Sequence, residues 1–394
     1  MLILLVPYKF TEYHYIHYEL DIFEKKLKNK FEVHDLSNII NPKLKTIFKL
    51  KRHKKTKIFF TIKEWQNYFL KVNKKYKKVE ILNLLDLTNF KSLFIHFIIQ
   101  KYKKKIIQLK SPGLPNFYIE KKRKKNFFDI KKKIYLLRLN FLIFHFKTKL
   151  VNLLAKFIIF DEIYYLVRGD KINFNTNLNS KKNTFVTYHS HDFSRLSFNK
   201  KTNYKEKPIG VYLDSPGPYF KEDYSIFGLN FNYDKLKWYR DLNKFLSKVE
   251  KIYFCKIIII PHPKVKRLKN PHYNEKFKVN HDLDAVHKLI PKSKVVVSIG
   301  ASTAIGIAVA CNKKILITYN DQIKKFNNSL FEVTKFIAGK CDANFINLNN
   351  YDNEELIKSI NKKKYNNYFH SYVSSKNISK KKNYEIFNDL LEKI

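Results

Sequence analysis

The chain has 394 residues, which is too long for one ordinary hydrophobic core and favours two domains. Hydrophobic residues make up 44% of it and aromatic residues 16%, so the composition excludes a disordered chain. The formal net charge is +44, but the lysines are spread along the whole chain and no zinc-finger, RRM-like or helix-turn-helix motif occurs. This pattern argues against a dedicated nucleic-acid-binding protein and leaves an anionic membrane surface or an anionic substrate as partner.

The compartment is predicted from cysteine usage and from the length of the apolar runs. Cys255, Cys311 and Cys341 have no CxxC spacing, which is typical of reduced core residues. No stretch reaches 18 uninterrupted apolar residues, so no transmembrane span is expected. Both features predict a cytoplasmic protein, with peripheral association to the inner membrane as an option.

Short apolar runs alternate with helical patterns in the first half of the sequence. The run "MLILLVP" predicts a first β-strand, and "YELDIFEKKLKNK" after it has the periodicity of an amphipathic helix. Further strands are predicted at 31–36, 57–62, 79–85, 104–109, 158–167 and 183–190. Strands that alternate with helices indicate a parallel α/β sheet.

The segment 120–157 has two interpretations. A lysine-rich stretch, "EKKRKK", precedes a run rich in Leu and Phe. This order is typical of a basic helix that lies in a membrane interface. An ordinary core helix beside a solvated run of charges explains the same pattern and is the simpler interpretation.

A second α/β unit follows a polar, proline-terminated stretch at 199–208, which we interpret as a linker. The domains are therefore predicted at 1–200 and 208–394. The second unit contains predicted strands at 208–216, 254–260, 294–299 and 314–318, and predicted helices at 234–250, 283–290, from Ser302 onward and at 382–394. The whole chain is expected to consist of two doubly wound halves in tandem.

A turn rich in small residues follows the predicted strand "KVVVSI". Ser298, Gly300, Ser302 and Thr303 lie between that strand and the start of a helix. Glycine permits a tight turn, and the N–H groups of a helix's first turn attract phosphate together with nearby hydroxyls. The turn matches neither a Walker A nor a G-x-G-x-x-G loop. It predicts a phosphate site, although a plain helix cap would have the same composition.

The sequence "KIIIIPHPK" places a histidine at the end of a buried strand. Prolines stop the strand on either side of His262, and Lys264 follows. Ligands of open α/β sheets bind at the carboxyl ends of strands. If this strand neighbours the one that ends at Ser298, the histidine, the lysine and the hydroxyl turn would surround one anion. The alternative is a histidine that only caps the strand end.

The stretch "YHSHDF" closes the first half and is expected to face the cleft between the domains. His189, His191 and Asp192 follow a strand there, and Asp214 follows the first strand of the second half. The H-x-H pattern allows a metal site, but no further ligand set can be identified, so we predict none. We take Asp192, Asp214 and His189 as candidate catalytic residues, because transfer to a hydroxyl group needs a base.

Several of these stretches together resemble a known group of enzymes. They are "HSHDF", "VYLDSPGPYFKEDY", "IIIPHPKV", "LDAVHKLIPKSKVVVSIGASTAIGIAVACNKKILIT" and "YNNYFHSYVSSK". They look like bacterial GT-B-fold glycosyltransferases that build lipopolysaccharide and capsule, and are similar to the sialyltransferase and polysialyltransferase groups with His-Pro and Ser/Thr motifs. The resemblance covers mainly residues 185–375.

The resemblance implies a fold, a reaction and a set of donor-binding residues. The fold would be two Rossmann-like domains that face a cleft. The reaction would move a sugar from a CMP- or UDP-activated donor to a lipid-linked or oligosaccharide acceptor, without metal or other cofactor. The residues implied to bind the donor are His262, Lys264, Ser298, Gly300, Ser302 and Thr303.

Two other functions stay open at this point. A nucleotide-sugar epimerase of the same fold would release product without an acceptor. A non-catalytic basic protein would bind anionic vesicles or nucleic acid in a salt-sensitive way and would have no affinity for nucleotides.

Overall fold

The computed structural model describes residues 1–27, 30–42, 51–87, 89–102, 104–109, 114–120, 139–172, 178–196, 208–215, 217–218, 232–262, 270–300, 302–378 and 380–394. The predicted linker at 199–208 lies outside these residues except for Pro208. The domain boundaries proposed from the sequence therefore stay a prediction.

The described part of the first half forms a seven-stranded parallel sheet. Its strands are β1 (Leu2–Val6), β2 (Phe31–Asp35), β3 (Thr56–Ile58), β4 (Glu80–Asn83), β5 (Ile106–Leu109), β6 (Ile159–Arg168) and β7 (Asn179–Tyr188), in the order β3-β2-β1-β4-β5-β6-β7. The helices are α1 (Glu12–His17), α2 (Leu20–Lys26), α3 (Ser37–Ile40), α4 (Ile62–Lys75), α5 (Phe90–Lys101), α6 (Phe117–Glu120) and α7 (Leu139–Leu154).

The described part of the second half forms a six-stranded parallel sheet. Its strands are β8 (Ile209–Leu213), β9 (Lys256–Ile260), β10 (Lys278–Val279), β11 (Ser293–Ile299), β12 (Lys314–Tyr319) and β13 (Asn344–Asn347), in the order β10-β9-β8-β11-β12-β13. Helix α8 (His191–Ser194) directly follows β7 and ends the described part of the first half. The helices of the second half are α9 (Lys235–Tyr253), α10 (Ala285–Leu289), α11 (Ile305–Ala310), α12 (Asp321–Phe326), α13 (Asn328–Lys340), α14 (Asn353–Ile357), α15 (Lys362–Tyr368) and α16 (Asn383–Lys393).

Both sheets have the strand order of a Rossmann-like domain. In each, the first strand of the unit lies inside the sheet, the next two lie on one side of it, and all later strands lie on the other side, four in the first sheet and three in the second. The order reverses between β1 and β4 in the first sheet and between β8 and β11 in the second. The predicted α/β class with two Rossmann-like domains is confirmed.

Three predicted elements differ from the structure in ways that have local causes. The strand predicted at 57–62 ends at Ile58, because Thr61 caps α4 by accepting a hydrogen bond from the Glu64 backbone. The helix predicted from Tyr18 onward begins at Leu20, because Glu19 before it has a left-handed φ of 57° that separates α2 from α1. The helix expected from Ser302 begins at Ile305, after a turn in which the Ile305 N–H donates to the Ser302 carbonyl.

The C-terminal helix α16 packs against the first sheet rather than the second. Its buried residues Ile386, Phe387, Leu390 and Leu391 share one hydrophobic cluster with β1 and α2. The Phe387 ring stacks on Phe23 of α2, with 5.2 Å between the ring centroids. The chain therefore returns to its first half after completing the second.

In residues 146–154, the part of α7 whose side chains are described, one side is buried and the other is exposed. Val151 is buried in the core of the first half, whereas Phe146 and Leu153 are largely exposed, as is Phe157 just beyond the helix. The basic part of the 120–157 segment, residues 121–138, lies outside the described residues. Among the residues described, no helix combines the length and the apolar character that crossing a bilayer requires.

Candidate functional site

The carboxyl edge of the second sheet brings polar residues together at the point where the strand order reverses. Asp214 and Ser215 follow the central strand β8, His262 follows β9, and Gly300 follows β11. Strand β8 lies between β9 and β11, so the two strands of the predicted anion site are not neighbours. Because adjacent strands lie about 4.8 Å apart, roughly 10 Å separate the ends of β9 and β11. Asp214 occupies the position between them.

The turn after β11 is held by its own hydroxyl groups. Gly300 has a φ of +80°, a conformation that favours glycine. A Cβ at this position would meet no atom within 4 Å, so glycine is needed for its backbone conformation and not for lack of space. The buried Ser298 hydroxyl donates to the Gly300 carbonyl at 3.2 Å. Ser302 accepts from the Ala304 N–H at 3.3 Å, and Thr303 is exposed. Ser298 therefore shapes the turn, while Ser302 and Thr303 lie closer to the surface.

His262 stands at the end of β9 as the sequence predicts. Pro261 is buried and His262 is half-buried at the carboxyl edge of the sheet. The Asp214 N–H donates to the Ile260 carbonyl at 3.0 Å, which ties the ends of β8 and β9 together. Lys264 lies outside the described residues. Its role in anion binding stays a prediction.

Asp214 is a half-buried aspartate whose carboxyl group lies among tyrosines. Burial raises its pKa to about 7, and the hydroxyls of Tyr273 and Tyr212 limit the rise. The Tyr212 hydroxyl donates to Asp214 Oδ1 at 3.3 Å. A carboxyl group with a pKa near neutrality can exchange a proton at physiological pH.

Asp192 lies where the two halves meet, between a histidine from each. Its Oδ1 is 3.5 Å from Nδ1 of His17 in α1 and 3.7 Å from Nε2 of His287 in α10. Burial would raise the pKa of Asp192, but the two histidines outweigh it and hold the pKa well below the usual range. The carboxylate therefore stays ionised at neutral pH.

His189 has both ring nitrogens engaged by the C-terminal segment. Nδ1 is 2.8 Å from the Ser374 hydroxyl, and Nε2 is 2.8 Å from the Lys381 carbonyl. Its backbone N–H donates to the Asn383 side chain at 3.0 Å. These contacts give His189 a structural position and leave neither nitrogen directed at a substrate.

The second histidine of the H-x-H pattern has a different partner. Nδ1 of His191 lies 3.0 Å from the Glu19 carboxylate, and burial lowers the pKa of His191 to about 4. No group of three His, Cys, Asp or Glu side chains that could hold a metal ion occurs among the described residues.

Sequence reasoning missed the residues that face Asp192 from other elements. His17 precedes Asp192 by 175 positions and His287 follows it by 95, by subtraction of the residue numbers. The tyrosines beside His17 were missed as well: Tyr13 stacks on His17 at 5.4 Å between centroids. The local signal was the stretch "YKFTEYHYIHY" after β1, which is rich in Tyr and His at the carboxyl edge of the first sheet.

Comparison with solved structures supports the architecture. The glycotransferase of kitacinnamycin is 10% identical, with a TM-score of 0.50 over 100% of this chain and 97% of that one. The wall teichoic acid polymerase TagF is 11% identical, with a TM-score of 0.50 over 100% of this chain and 88% of that one. A UDP-GlcNAc 2-epimerase from Methanocaldococcus jannaschii is 11% identical, with a TM-score of 0.44 over 100% and 99%.

These likenesses, at such low identity, concern the fold alone. The first two extend over nearly the whole of each chain and place the two Rossmann-like domains in the GT-B arrangement. No protein-family model and no curated protein sequence matches the chain.

Proposed function

We propose that this chain is a GT-B glycosyltransferase that moves a sugar from a CMP- or UDP-activated donor to a lipid-linked or oligosaccharide acceptor. The observation that carries the proposal is the set of polar groups at the strand-order reversal of the second sheet, where open α/β sheets bind ligands. The GT-B arrangement supports it, because the two similar structures with TM-scores of 0.50 are those of a glycotransferase and a wall teichoic acid polymerase.

The donor nucleotide binds at the carboxyl edge of the second sheet. His262 approaches its phosphates from one side of β8, and the turn with Gly300, Ser302 and Thr303 approaches from the other. Negative charge develops on the phosphate leaving group as the glycosidic bond breaks, and hydrogen-bond donors fixed in advance stabilise that charge. A site about 10 Å wide suits the phosphates and the nucleoside together. In this proposal, the negative charge on the leaving phosphate is stabilised by protein groups and not by a metal ion.

Two carboxyl groups with opposite pKa shifts take two roles. Asp192 stays ionised and orients His17, which accepts the proton of the acceptor hydroxyl. Asp214 lies beside the donor, where its carboxyl group can give its proton to the phosphate leaving group as the glycosidic bond breaks and become a carboxylate. His189 is left out of the catalytic set because both of its ring nitrogens hold the C-terminal segment.

The acceptor approaches from the first domain, whose exposed surface suits a peripheral membrane enzyme of surface-carbohydrate synthesis. Phe146 in α7 is 69% exposed and Phe157 just after it is 81% exposed, in a chain of net charge +44. Exposed aromatic rings with surrounding lysines are typical of interfacial binding to anionic lipid. The three cysteines are free, in keeping with a cytoplasmic location.

A thermal-shift panel of CMP-, UDP-, GDP- and dTDP-sugars tests the proposal. A ligand at 100 times its Kd stabilises the folded state by about 2.7 kcal/mol, so one nucleotide class should raise the melting temperature. The stabilising donor is then incubated with and without acceptor, and with EDTA. Transfer that needs acceptor and resists EDTA supports the proposal. Free sugar or an epimer formed without acceptor would identify an epimerase, and no stabilisation by any nucleotide would overturn the assignment.

A further inference from the structure

Arg168 is a buried cation at the carboxyl edge of the first sheet. It is the last residue of β6, in register with Tyr188 of β7, and is only 7% exposed. Its Nε is buried without a hydrogen-bond partner, and within the described residues its guanidinium has no ion pair. A buried charge without a partner costs several kcal/mol, so a fold retains one rarely unless it serves a ligand.

The acidic groups nearest to Arg168 are already committed to other partners. Glu19 accepts from Asn383 at 2.6 Å and lies 3.0 Å from His191 Nδ1. Asp192 is flanked by the two histidines already described. Both carboxylates raise the pKa of Arg168 against the lowering effect of burial, yet neither comes within ion-pairing distance. The guanidinium is therefore available to an anion from outside the chain.

Two tyrosines provide hydroxyl groups beside the arginine. The hydroxyls of Tyr8, which follows β1, and of Tyr18, which follows α1, are 2.6 Å apart. Both rings are half-buried, so the pair borders the solvent. Burial raises the pKa of both phenols, and Arg168 is close enough to oppose that rise. The neutral hydroxyls are hydrogen-bond donors at neutral pH.

The backbone fixes the position of Arg168. Gly169 follows it with a φ of +69°, and a Cβ there would lie 2.6 Å from the carbonyl oxygens of His370 and Ser371. The Asp170 N–H donates to the His370 carbonyl at 2.7 Å. The end of β6 is therefore held against the 369–373 turn, and the arginine is positioned before any ligand arrives.

We propose that Arg168, with the Tyr8 and Tyr18 hydroxyls, binds an oxyanion on the acceptor, either a carboxylate or a phosphate. A guanidinium offers two parallel N–H donors to such a group, and the tyrosines supply further donors. The assignment to the acceptor rests on the proposed function, because the donor occupies the other domain. An acceptor with an acidic sugar or a phosphate near the transfer point fits this site.

Binding of small oxyanions to the full-length protein tests the site. Glucuronate, glucose 6-phosphate, inorganic phosphate and glucose are compared by isothermal titration with wild type, Arg168→Gln, Arg168→Lys and Arg240→Gln. Arg240 is an exposed arginine of α9 and controls for the loss of one positive charge. We expect wild type to bind at least one oxyanion but not glucose, with affinity at least tenfold lower in Arg168→Gln and intermediate in Arg168→Lys. Preference for glucuronate or for glucose 6-phosphate distinguishes a carboxylate from a phosphate.

The unfolding temperature separates a ligand-binding role from a structural one. If Arg168 is kept for a ligand, Arg168→Met should unfold at the same temperature as wild type or higher, because it removes an unpaired buried charge. A lower unfolding temperature for Arg168→Met, equal oxyanion affinity in wild type and Arg168→Gln, or equal loss in Arg240→Gln would overturn the proposal.

Nucleotide binding measured in parallel keeps this inference separate from the proposed function. Arg168→Gln should bind the donor nucleotide as wild type does, since the donor lies in the other domain. If wild type binds an oxyanion through Arg168 but no nucleotide, the glycosyltransferase proposal fails while the oxyanion site stands.

Discussion

Asp192 and Asp214 show how the surroundings of a residue decide its chemistry. Both aspartates lie near a strand end, and Asp192 is buried whereas Asp214 is half-buried. Asp192 faces imidazoles and Asp214 faces phenols. The two imidazoles lower the pKa of Asp192 by more than burial raises it, whereas the two phenols offset the effect of burial on Asp214 only in part. The pKa therefore falls for Asp192 and rises to about 7 for Asp214. One carboxyl group remains a fixed charge, and the other can change its charge near neutrality.

The raised pKa of Asp214 predicts a pH dependence of stability. The unfolded chain ionises this group near its ordinary value of 3.8 and the folded chain near 7, so its contribution is fully present below pH 3.8 and is lost as the pH rises to about 7. Three pKa units correspond to roughly 4 kcal/mol, as an upper order of magnitude. Asp214→Asn should therefore gain free energy of unfolding relative to wild type between pH 5 and pH 8.

Urea unfolding at the two pH values measures this difference. Asp161→Asn serves as the control, because Asp161 is 71% exposed and pairs with Lys181 at the surface. Parallel pH profiles for wild type and Asp214→Asn would show that Asp214 is not protonated in the folded state.

His262 is the residue whose loss should affect turnover most at the donor site. It lies at the carboxyl edge of β9, beside the end of the central strand. Loss of one donor to a developing negative charge typically lowers turnover about a hundredfold or more, and we expect that for His262→Ala. Ser302→Ala should lower it less, because backbone N–H groups of the turn remain.

Turnover is measured with the nucleotide sugar found by the thermal-shift panel. Ser329→Ala, an exposed serine of α13, is the matched control, and unchanged unfolding midpoints show that the variants are folded. Wild-type turnover in His262→Ala would show that the histidine does not act at the donor site.

At the scale of elements, the sequence predicted a strand or helix correctly where one continuous run of residues determines that element. The run "KIIII" is apolar enough to be a strand in any context, and it forms β9. The order of strands depends on contacts between distant segments, so the sequence could not show that β8 lies between β9 and β11. For the same reason it could not show that His17 and His287 flank Asp192.

The exposed side of α7 predicts membrane binding that depends on particular aromatic rings. Phe146→Ser/Phe157→Ser should weaken cosedimentation with vesicles that contain phosphatidylglycerol, because exposed rings insert at the interface. Binding should also fall as salt rises, since the lysines are screened. Phe254→Ser is the matched control, because Phe254 is 82% exposed but lies in the second half, after α9.

Vesicles of phosphatidylcholine provide the neutral comparison. Equal binding of the double variant and wild type, or no binding of wild type to anionic vesicles, would mean that α7 is an ordinary core helix and does not bind membranes.

At the scale of the whole molecule, the C-terminal segment links the two halves. Asn383 accepts from the His189 N–H and donates to Glu19, while His189 bonds Ser374 and Lys381. Direct contacts add to this link: Arg195 donates to Asp21 at 2.9 Å and lies 3.6 Å from Asp284 in the second half. Breaking such buried polar contacts leaves groups unpaired, at about 1–3 kcal/mol each.

This architecture predicts that the chain stays together when it is cut between its two sheets. A specific protease site is placed within 200–206, in the segment that the sequence predicts as a linker. After cleavage the two fragments should elute as one species, because α16 of the second fragment buries Phe387 and three further apolar side chains against the first. Full burial of such a side chain is worth roughly 1.5–3 kcal/mol.

Phe387→Asp should make the cleaved fragments separate, while Phe326→Asp, on a half-exposed ring of α12, should not. Size-exclusion chromatography of the cleaved proteins measures the result, and separation of the unsubstituted fragments would mean that α16 does not hold the halves together.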